Sequence, residues 1–175
     1  MSATEIWLDN LPIPPSANVM YDTTVRKVKK RNKAGKIYQG VVTGKKCSLE
    51  LEHFKLRCRS FKNVNHVLIS QMRLQCLEWI KQGYILRVDT WFGFEHSRIW
   101  TKAGQPQKID SDNRRKPMQD SLAEILDIDD KWFFSGNIEK VTSTSKDLEC
   151  AIVRIIPIKA RTLTEIRQLR NTGAF

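Results

Sequence analysis

The chain has 175 residues, 41% of them hydrophobic, and its 30 Lys and Arg against 19 Asp and Glu give a formal net charge of +11. A chain of this length with no long low-complexity tract can bury one hydrophobic core, so we expect a single domain over residues 1–175. The positive charge makes nucleic acid the first partner to consider, although ribosomal and membrane-surface proteins share it. Since the sequence has no signal-peptide-like apolar region and no run of about 18 apolar residues, we expect a soluble intracellular protein.

The N-terminal part predicts one strand and a basic arm. Residues 5–9 alternate and contain an aromatic residue, as a short strand does, and the proline-rich residues 11–18 should follow in an extended or turning form. Six of the eight residues 26–33 are basic, which is typical of a mobile loop or arm, placed here at about residues 25–50. This stretch is either a solvated loop or an arm that grips phosphate groups.

The middle of the chain predicts a helix followed by a strand. Residues 65–82 carry apolar side chains at the three-and-four spacing of an amphipathic helix, which Gly83 should end. Residues 86–94 alternate and are rich in aromatic side chains, which indicates a long strand. Residues 97–107 are typical of the loop after it.

The C-terminal part predicts two strands and a helix. Residues 137–143 and 149–158 have strand character and are separated by a polar turn, a pattern that favours a hairpin. Pro157 restricts the second of them to a sheet edge or a strand ending. Thr162 and Glu165 form a capping box, so the tail at about residues 160–175 should be helical.

The order of these elements predicts an α/β or α+β fold with one mixed β-sheet and packed helices. Cysteine and histidine offer no site in it, because neither C-x-x-C spacing nor paired histidines are present, and we expect the thiols to be buried. The four cysteines are Cys47, Cys58, Cys76 and Cys150. Any reaction chemistry is therefore expected from carboxylates.

Seven of the 19 acidic residues lie between Asp110 and Asp130. Clustered carboxylates repel one another unless a cation lies among them, and Mg²⁺ or Mn²⁺ is the natural choice. Asp110 and Asp112 share one face of an extended segment before a helix that should begin near Asn113. A second cluster at residues 127–130 follows the helix and could return beside the first. The competing interpretation is that helix caps and surface turns account for every carboxylate.

Lys116 belongs to the same region. It lies about one helical turn beyond Asp112 and four residues before Asp120, so it shares a helix face with Asp120. It is therefore either near the proposed metal or simply a surface partner of Asp120.

The acidic region resembles the D-x-D-N-x-x-K … D-x-L … D-D signature of RusA-like Holliday junction resolvases. The signature falls on Asp110, Asp112, Asn113, Lys116, Asp120, Leu122, Asp129 and Asp130. The residues Pro14-Pro15-Ser16-x-Asn18-x-x-Tyr21 resemble the P-P-S-x-N-x-x-Y segment that opens the same family. The resemblance spans the first strand to the last strand pair, while the basic stretch from Arg26 and the tail after Ile158 look like additions to the family core.

This resemblance implies a RusA-like α/β fold, an acidic metal site and one essential basic residue. The implied catalytic residues are Asp110, Asp112, Lys116 and Asp130, and the implied metal ligands are Asp110, Asp112, Asp130 and, less directly, Asp129. The segment from Asp120 to the Asp pair is one residue shorter than the family pattern, so the choice between Asp129 and Asp130 stays open, and Asp127 could substitute. Asn18 and Tyr21 are expected only to support the site.

The resemblance further implies a homodimer that nicks four-way DNA junctions symmetrically with Mg²⁺, or with Mn²⁺ as the alternative, and needs no small-molecule cofactor or membrane. The implied setting is the cytoplasm of a bacterial or phage-infected cell. The expected DNA-binding cations are Lys108, Arg114, Arg115, Lys27, Lys29, Lys30 and Arg31. Two alternatives remain, a non-catalytic nucleic-acid-binding protein that keeps the fold and a metal-dependent nuclease that cuts flaps, forks or plain duplex.

Overall fold

The computed structural model describes residues 4–16, 21–31, 37–107, 109 and 111–172. Its strands are β1 (Ile6–Leu11), β2 (Tyr21–Arg31), β3 (Ile37–Cys47), β4 (Ile85–Glu95), β5 (Phe133–Ser135), β6 (Ile138–Ser143) and β7 (Cys150–Ile158). Its helices are α1 (Leu49–Val64), α2 (His66–Lys81), α3 (His96–Ile99), α4 (Arg115–Leu126) and α5 (Leu163–Thr172). Among these described helices, none combines the length and the apolar character that crossing a membrane requires.

Five strands form one mixed sheet, which confirms the predicted α+β fold class. Strand β7 lies between β1 and β4 and is antiparallel to both. Strands β5 and β6 follow one another along the other edge of β4 and are parallel to it. Strand β4 is therefore the centre of the sheet, and its Phe92 and Phe94 are fully buried.

The predicted hairpin between the last two strands is wrong. Strands β6 and β7 do not pair with each other, because β4 lies between them. The turn that joins them, which includes a 3-10 turn at Lys146–Leu148, crosses the end of β4 instead of closing a tight ladder. Pro157 lies one residue before the end of β7, so the proline marks a strand ending, as one of the two predicted options required.

The basic stretch is not a loop over residues 26–31. These residues lie in β2, which pairs with β3 in a separate two-stranded sheet, in register from Tyr21 opposite Cys47 to Arg31 opposite Ile37. The β-branched residues in both strands favour an extended backbone. The loop was predicted from the number of basic residues alone, which ignores this preference. Residues 32–36 lie outside the described part of the chain.

Three helices form the hydrophobic core with the sheet. Helix α1, which the sequence analysis did not predict, begins at Leu49 and is capped by Ser48, whose Oγ accepts a hydrogen bond from the Leu51 amide at 3.2 Å. Helices α1 and α2 pack against α4, and α2 also contacts β4. One continuous buried cluster includes Leu8, Phe54, Trp79, Leu86, Phe92, Leu122, Val153 and Ile155.

The predicted helix ends are confirmed where they rest on caps. Gly83 has a φ of 85°, and the amides of Gly83 and Tyr84 donate to the carbonyls of Ile80 and Trp79, which closes α2. The Thr162 amide donates to Glu165 Oε2 at 2.6 Å and the Glu165 amide to Thr162 Oγ1 at 3.3 Å, so the capping box of α5 is present.

Two of the cysteines are buried free thiols, as expected. Burial raises the pKa of Cys58 to about 11 and that of Cys76 to about 12, so neither is a thiolate near neutral pH. Cys150 is partly buried, and burial also raises its pKa.

Asp89 is a buried charged residue on β4, and its carboxylate binds the backbone of the segment that joins β5 to β6. Its side chain is 1% exposed and accepts hydrogen bonds from the Asn137 amide at 2.9 Å, from Arg87 at 2.9 Å and from Arg154 at 2.8 Å. Burial works to raise the pKa of Asp89, but these donors outweigh it and hold the pKa below its usual value.

Gly136 lies in the same link between β5 and β6, where the backbone approaches β4 closely. A Cβ at this position would lie 1.6 Å from the carbonyl oxygen of Val88, which no side chain tolerates. Glycine therefore lets the chain lie directly against β4 between β5 and β6.

Candidate active site

Helix α4 begins just after the D-x-D-N part of the acidic motif. A 3-10 turn at Asp112–Arg114 leads into it, close to the start predicted from Asn113. Pro117 is the third residue of the helix, where its missing N–H costs no intrahelical hydrogen bond. Residues such as Met118 and Leu122 are buried, which leaves Asp112, Arg115, Lys116 and Asp120 exposed.

Lys116 joins two parts of the motif. Its Nζ lies 2.7 Å from Asp120 Oδ1, one helical turn away, and 2.5 Å from Asp130 Oδ2, beyond the end of the helix. The hydrogen bonds that Lys116 donates to Asp120 and Asp130 raise the pKa of Lys116 above its usual range. Lys116 is therefore an ammonium ion at neutral pH, suited to stabilising negative charge and unsuited to acting as a base.

The contact with Asp130 depends on a chain reversal after α4. Asp127 adopts the left-handed conformation, with φ 53° and ψ 51°, and the amide of Ile128 donates to the Ala123 carbonyl at 3.1 Å. The side chain of Ile128 is buried, so it anchors the returning segment. A 3-10 turn at Asp130–Trp132 then starts the approach to β5.

The acids of this second cluster have different partners. Asp129 accepts a hydrogen bond from the Lys131 amide at 3.1 Å and pairs with Lys131 Nζ at 2.9 Å, and these contacts lower the pKa of Asp129. Asp127 pairs with Arg73 of α2 at 3.0 Å. Among these three acids, Asp130 alone has a described contact with the Lys116 ammonium, which favours it over Asp129 and Asp127 as a site residue.

The acids border an open pocket. It has a volume of about 510 Å³ and lies at the end of α4. Its lining residues are Asp120, Ala123, Glu124, Asp127, Ile128, Asp129 and Asp130. The pocket is negative, in contrast to the net charge of the chain.

The carboxylates provide the kind of oxygen ligand that a hard divalent cation prefers. Asp120 and Asp130 already meet on one cation, the ammonium of Lys116, and exposed carboxylate oxygens are the donors that Mg²⁺ and Mn²⁺ prefer. Within the part of the chain that the structure describes, no three His, Cys, Asp or Glu side chains form a group that could hold a metal. Asp110, an expected ligand, is outside that part, as is Lys108.

Arg114 connects the two separated sequence motifs. Its guanidinium donates a hydrogen bond to the Pro14 carbonyl and lies over the ring of Phe94, 5.4 Å from the centroid. Arg114 is thus partly buried, whereas Arg115, its predicted companion in DNA binding, is exposed. The structure brings Arg114 together with the proline segment, and no pattern of neighbouring residues in the sequence predicts this contact.

Lys140 is a residue that the sequence analysis missed. Its Nζ donates to the carbonyl of Ile109 at 3.2 Å, immediately before Asp110. Only the pairing of β6 with β4 brings residue 140 near the acidic motif, so a single sequence carries no signal for it. The predicted DNA-binding residues Lys27, Lys29, Lys30 and Arg31 lie on β2, which belongs to the separate two-stranded sheet. Asn18 lies outside the described residues.

Most of the chain matches a known protein family. The family described as endodeoxyribonuclease RusA matches residues 29–153, from within β2 to within β7. The chain therefore belongs to the RusA endodeoxyribonuclease family, and membership supports a DNA-binding endonuclease of the Holliday junction resolvase type. The match includes the acidic signature and begins within the basic stretch. The tail after Ile158 lies beyond the match.

No curated protein matches the chain. Among solved structures, it is similar to the 2C-methyl-D-erythritol 2,4-cyclodiphosphate synthase of Plasmodium vivax, at 14% identity over 81% of this chain and 95% of that one, with a TM-score of 0.26. It is also similar to a CDP complex of Plasmodium falciparum IspF, at 15% identity over 80% and 94% of the two chains, with a TM-score of 0.27. Such low TM-scores carry no argument about fold or function.

Proposed function

We propose that the chain is a Mg²⁺-dependent endodeoxyribonuclease that resolves four-way DNA junctions by paired nicks in opposed strands. Family membership supports DNA cleavage. The contact that best supports this particular site is the Lys116 ammonium between Asp120 and Asp130, because it joins the first and last parts of the acidic motif.

Asp110, Asp112 and Asp130 would hold the metal ion through their carboxylate oxygens, with Asp129 as the second choice for the third ligand. The reason to prefer Asp130 is its contact with the Lys116 ammonium, whereas Asp129 caps the following 3-10 turn and pairs with Lys131. A divalent cation bound there would supply a water of lowered pKa and stabilise charge on the phosphate oxygens. Mn²⁺ would serve the same purpose, because it accepts the same oxygen donors.

Lys116 would stabilise the charge that develops on the scissile phosphate. An ammonium that two carboxylates keep protonated is already oriented before the substrate arrives, which is the condition for effective electrostatic stabilisation. When phosphate approaches, the ammonium can exchange one carboxylate contact for a phosphate oxygen without moving far.

The basic ribbon of β2 and β3 would hold DNA. Lys27, Lys29, Lys30 and Arg31 lie within one strand of a two-stranded sheet that pairs with no other described strand. A two-stranded ribbon fits the major groove, and cations along it would release counterions from the phosphates. Arg115, exposed at the start of α4, and Lys108 would add contacts near the acids.

A homodimer would place two such sites on one junction. A four-way junction has approximate two-fold symmetry, so a two-fold dimer presents one acidic site to each of two opposed strands. Measurement of the molar mass in solution by light scattering tests this part separately, and a monomer that remains monomeric on junction DNA would refute it.

The decisive experiment is cleavage of a labelled four-way junction in Mg²⁺ beside matched linear duplex and flap substrates, with Asp112→Asn as the inactive control. Paired nicks on the junction alone, lost in the variant, support the proposal. Cleavage of every substrate indicates a nuclease of broader specificity. Tight junction binding with no cleavage, together with no calorimetric Mg²⁺ binding that depends on Asp112, identifies a non-catalytic binding protein.

A further inference from the structure

We infer that Arg114 and Lys140 are positioning residues that tether the acidic segment of residues 109–114 at its two ends. The inference rests on the proposed function for its consequence, since this segment carries Asp110 and Asp112. The contacts themselves do not depend on that function. Neither residue is proposed to touch the metal or the reacting phosphate.

The tether at the far end is Arg114. Its hydrogen bond to the Pro14 carbonyl fixes the guanidinium in position, and Phe94 supports the guanidinium plane from below. Arg114 lies two residues after Asp112 and two before Lys116, so a shift of its backbone moves both. The planar guanidinium makes the hydrogen bond and the ring contact at once, which an ammonium cannot reproduce.

The tether at the near end is Lys140. Its ammonium holds the Ile109 carbonyl from β6, one residue before Asp110. Strand β6 is paired with β4 over six residue pairs, from Thr90 opposite Ile138 onward, so the lysine is carried by a rigid element. The segment between the two tethers is short, and anchors at both ends restrict where the Asp112 carboxylate lies.

Metal-binding carboxylates in an active site must be placed precisely. Ligands on a loop are held less precisely than ligands on a helix or strand, and a misplacement of about 1 Å at a reacting centre can cost about 100-fold in rate. Two tethers from the sheet and the N-terminal segment provide the missing rigidity. The acceptor for Arg114 is the backbone carbonyl of Pro14, so this tether links the acidic segment to the N-terminal proline segment.

The first test compares Arg114→Ala, Phe94→Leu and the double variant with the control Phe92→Leu. Phe92 and Phe94 are both fully buried on β4, but only Phe94 has a described contact with Arg114. We expect kcat for DNA cleavage to fall about 10- to 100-fold in Arg114→Ala and less in Phe94→Leu, with a non-additive double variant. Phe92→Leu should keep kcat once all proteins are assayed below their unfolding transitions.

The same variants distinguish a tether from a DNA contact. A positioning role leaves the metal-free Kd for junction DNA and its salt dependence unchanged, and Arg114→Lys does not restore kcat. A phosphate contact would instead weaken binding, lower the salt slope by about 0.9 and be largely rescued by lysine. That second pattern would overturn the inference for Arg114.

The second test uses Lys140→Met, an exposed change that should not prevent folding. Its matched control is Lys62→Met, because Lys62 Nζ also donates to a backbone carbonyl, that of Glu124, at 2.6 Å near the other end of α4. We expect Lys140→Met to reduce the rise in Tm produced by Mg²⁺, and Lys62→Met to leave it unchanged. Removal of a positive charge alone would strengthen metal binding, so a reduced rise identifies the lost tether.

Hydrogen exchange gives a readout that needs neither metal nor activity. Amides of residues 111–114 should exchange faster in Arg114→Ala and Lys140→Met than in the controls. Unchanged exchange in both variants overturns the inference, whatever the protein cleaves. If the wild-type protein neither binds Mg²⁺ nor cuts DNA while exchange responds as expected, the proposed function fails and the tethers stand.

Discussion

Replacement of Lys116 by methionine separates a catalytic role from a structural one. The ammonium makes two ion pairs, but its side chain is 67% exposed and those of Asp120 and Asp130 are 52% and 43% exposed. Pairs as exposed as these contribute about 0.2–1 kcal/mol each to the free energy of unfolding. Lys116→Met should therefore cost less than about 2 kcal/mol, or at most about 4–8 °C in Tm for a domain of this size.

The expected effect on catalysis is much larger. Loss of one preorganised donor to a developing negative charge typically lowers kcat by about 100- to 1,000-fold, equivalent to about 2.7–4 kcal/mol in the activation free energy. The assay is single-turnover cleavage of the four-way junction at saturating enzyme, beside a thermal unfolding curve of the same sample. The Kd for the junction should change little, since one exposed cation among many is removed.

Lys131→Met is the matched control. Lys131 is exposed to a similar extent, at 65%, and pairs with Asp129 at 2.9 Å in the neighbouring turn. The Lys131→Met substitution removes the same charge from the same acidic cluster, and we expect it to leave kcat within about threefold of the wild-type value. The reasoning is refuted if Lys116→Met retains wild-type kcat, or if the two variants lose the same amount.

Three further results follow from the geometry. Asp130→Asn should abolish cleavage while Asp129→Asn, measured in the same junction assay, retains most of it; the reverse order would identify Asp129 as the ligand. Gly136→Ala forces a methyl group onto the Val88 carbonyl and should lower the free energy of unfolding in urea by at least about 3 kcal/mol, whereas a smaller loss would mean that the strand moves easily. Because the folded-state pKa of Asp89 is depressed, its stabilisation is complete above about pH 4 and is lost as the pH falls through the folded pKa. The difference in unfolding free energy between wild type and Asp89→Asn should therefore shrink on acidification below pH 4, and a constant difference would contradict the assignment.

The parts of the fold that the sequence predicts are those with local causes. The strands β1 and β4 and the helices α2, α4 and α5 follow from periodicity, caps and the glycine after α2. Helix α1 was not predicted because it has few apolar residues on its buried face, with only Leu51, Phe54 and Cys58 buried among 16 residues. The β6–β7 hairpin was wrong because a turn sequence does not reveal whether two strands pair with each other or with a third strand.

The same division applies to the site. The pairing of Lys116 with Asp120 is one that four-residue spacing on any helix provides, and the sequence predicts it. The pairing with Asp130 exists only because Asp127 takes the left-handed conformation and buried Ile128 returns the chain toward α4. A short polar residue such as aspartate accepts that conformation at lower cost than most, so the acid at position 127 has a backbone role beside its ion pair with Arg73.

Different roles for neighbouring acids explain why counting carboxylates leaves the site ambiguous. Within four residues, Asp127 shapes the turn, Asp129 caps the next one, and Asp130 reaches Lys116. Spacing alone treats the three acids as equivalent ligands. The segment from Asp120 to the Asp pair is one residue shorter than the family pattern, so the pattern does not identify which of the three is the ligand. Because a carboxylate that caps a turn must give up that contact to bind a metal, we expect Asp130, which pairs with the Lys116 side chain, to be more available to a metal than Asp129, which caps the turn at Asp130–Trp132.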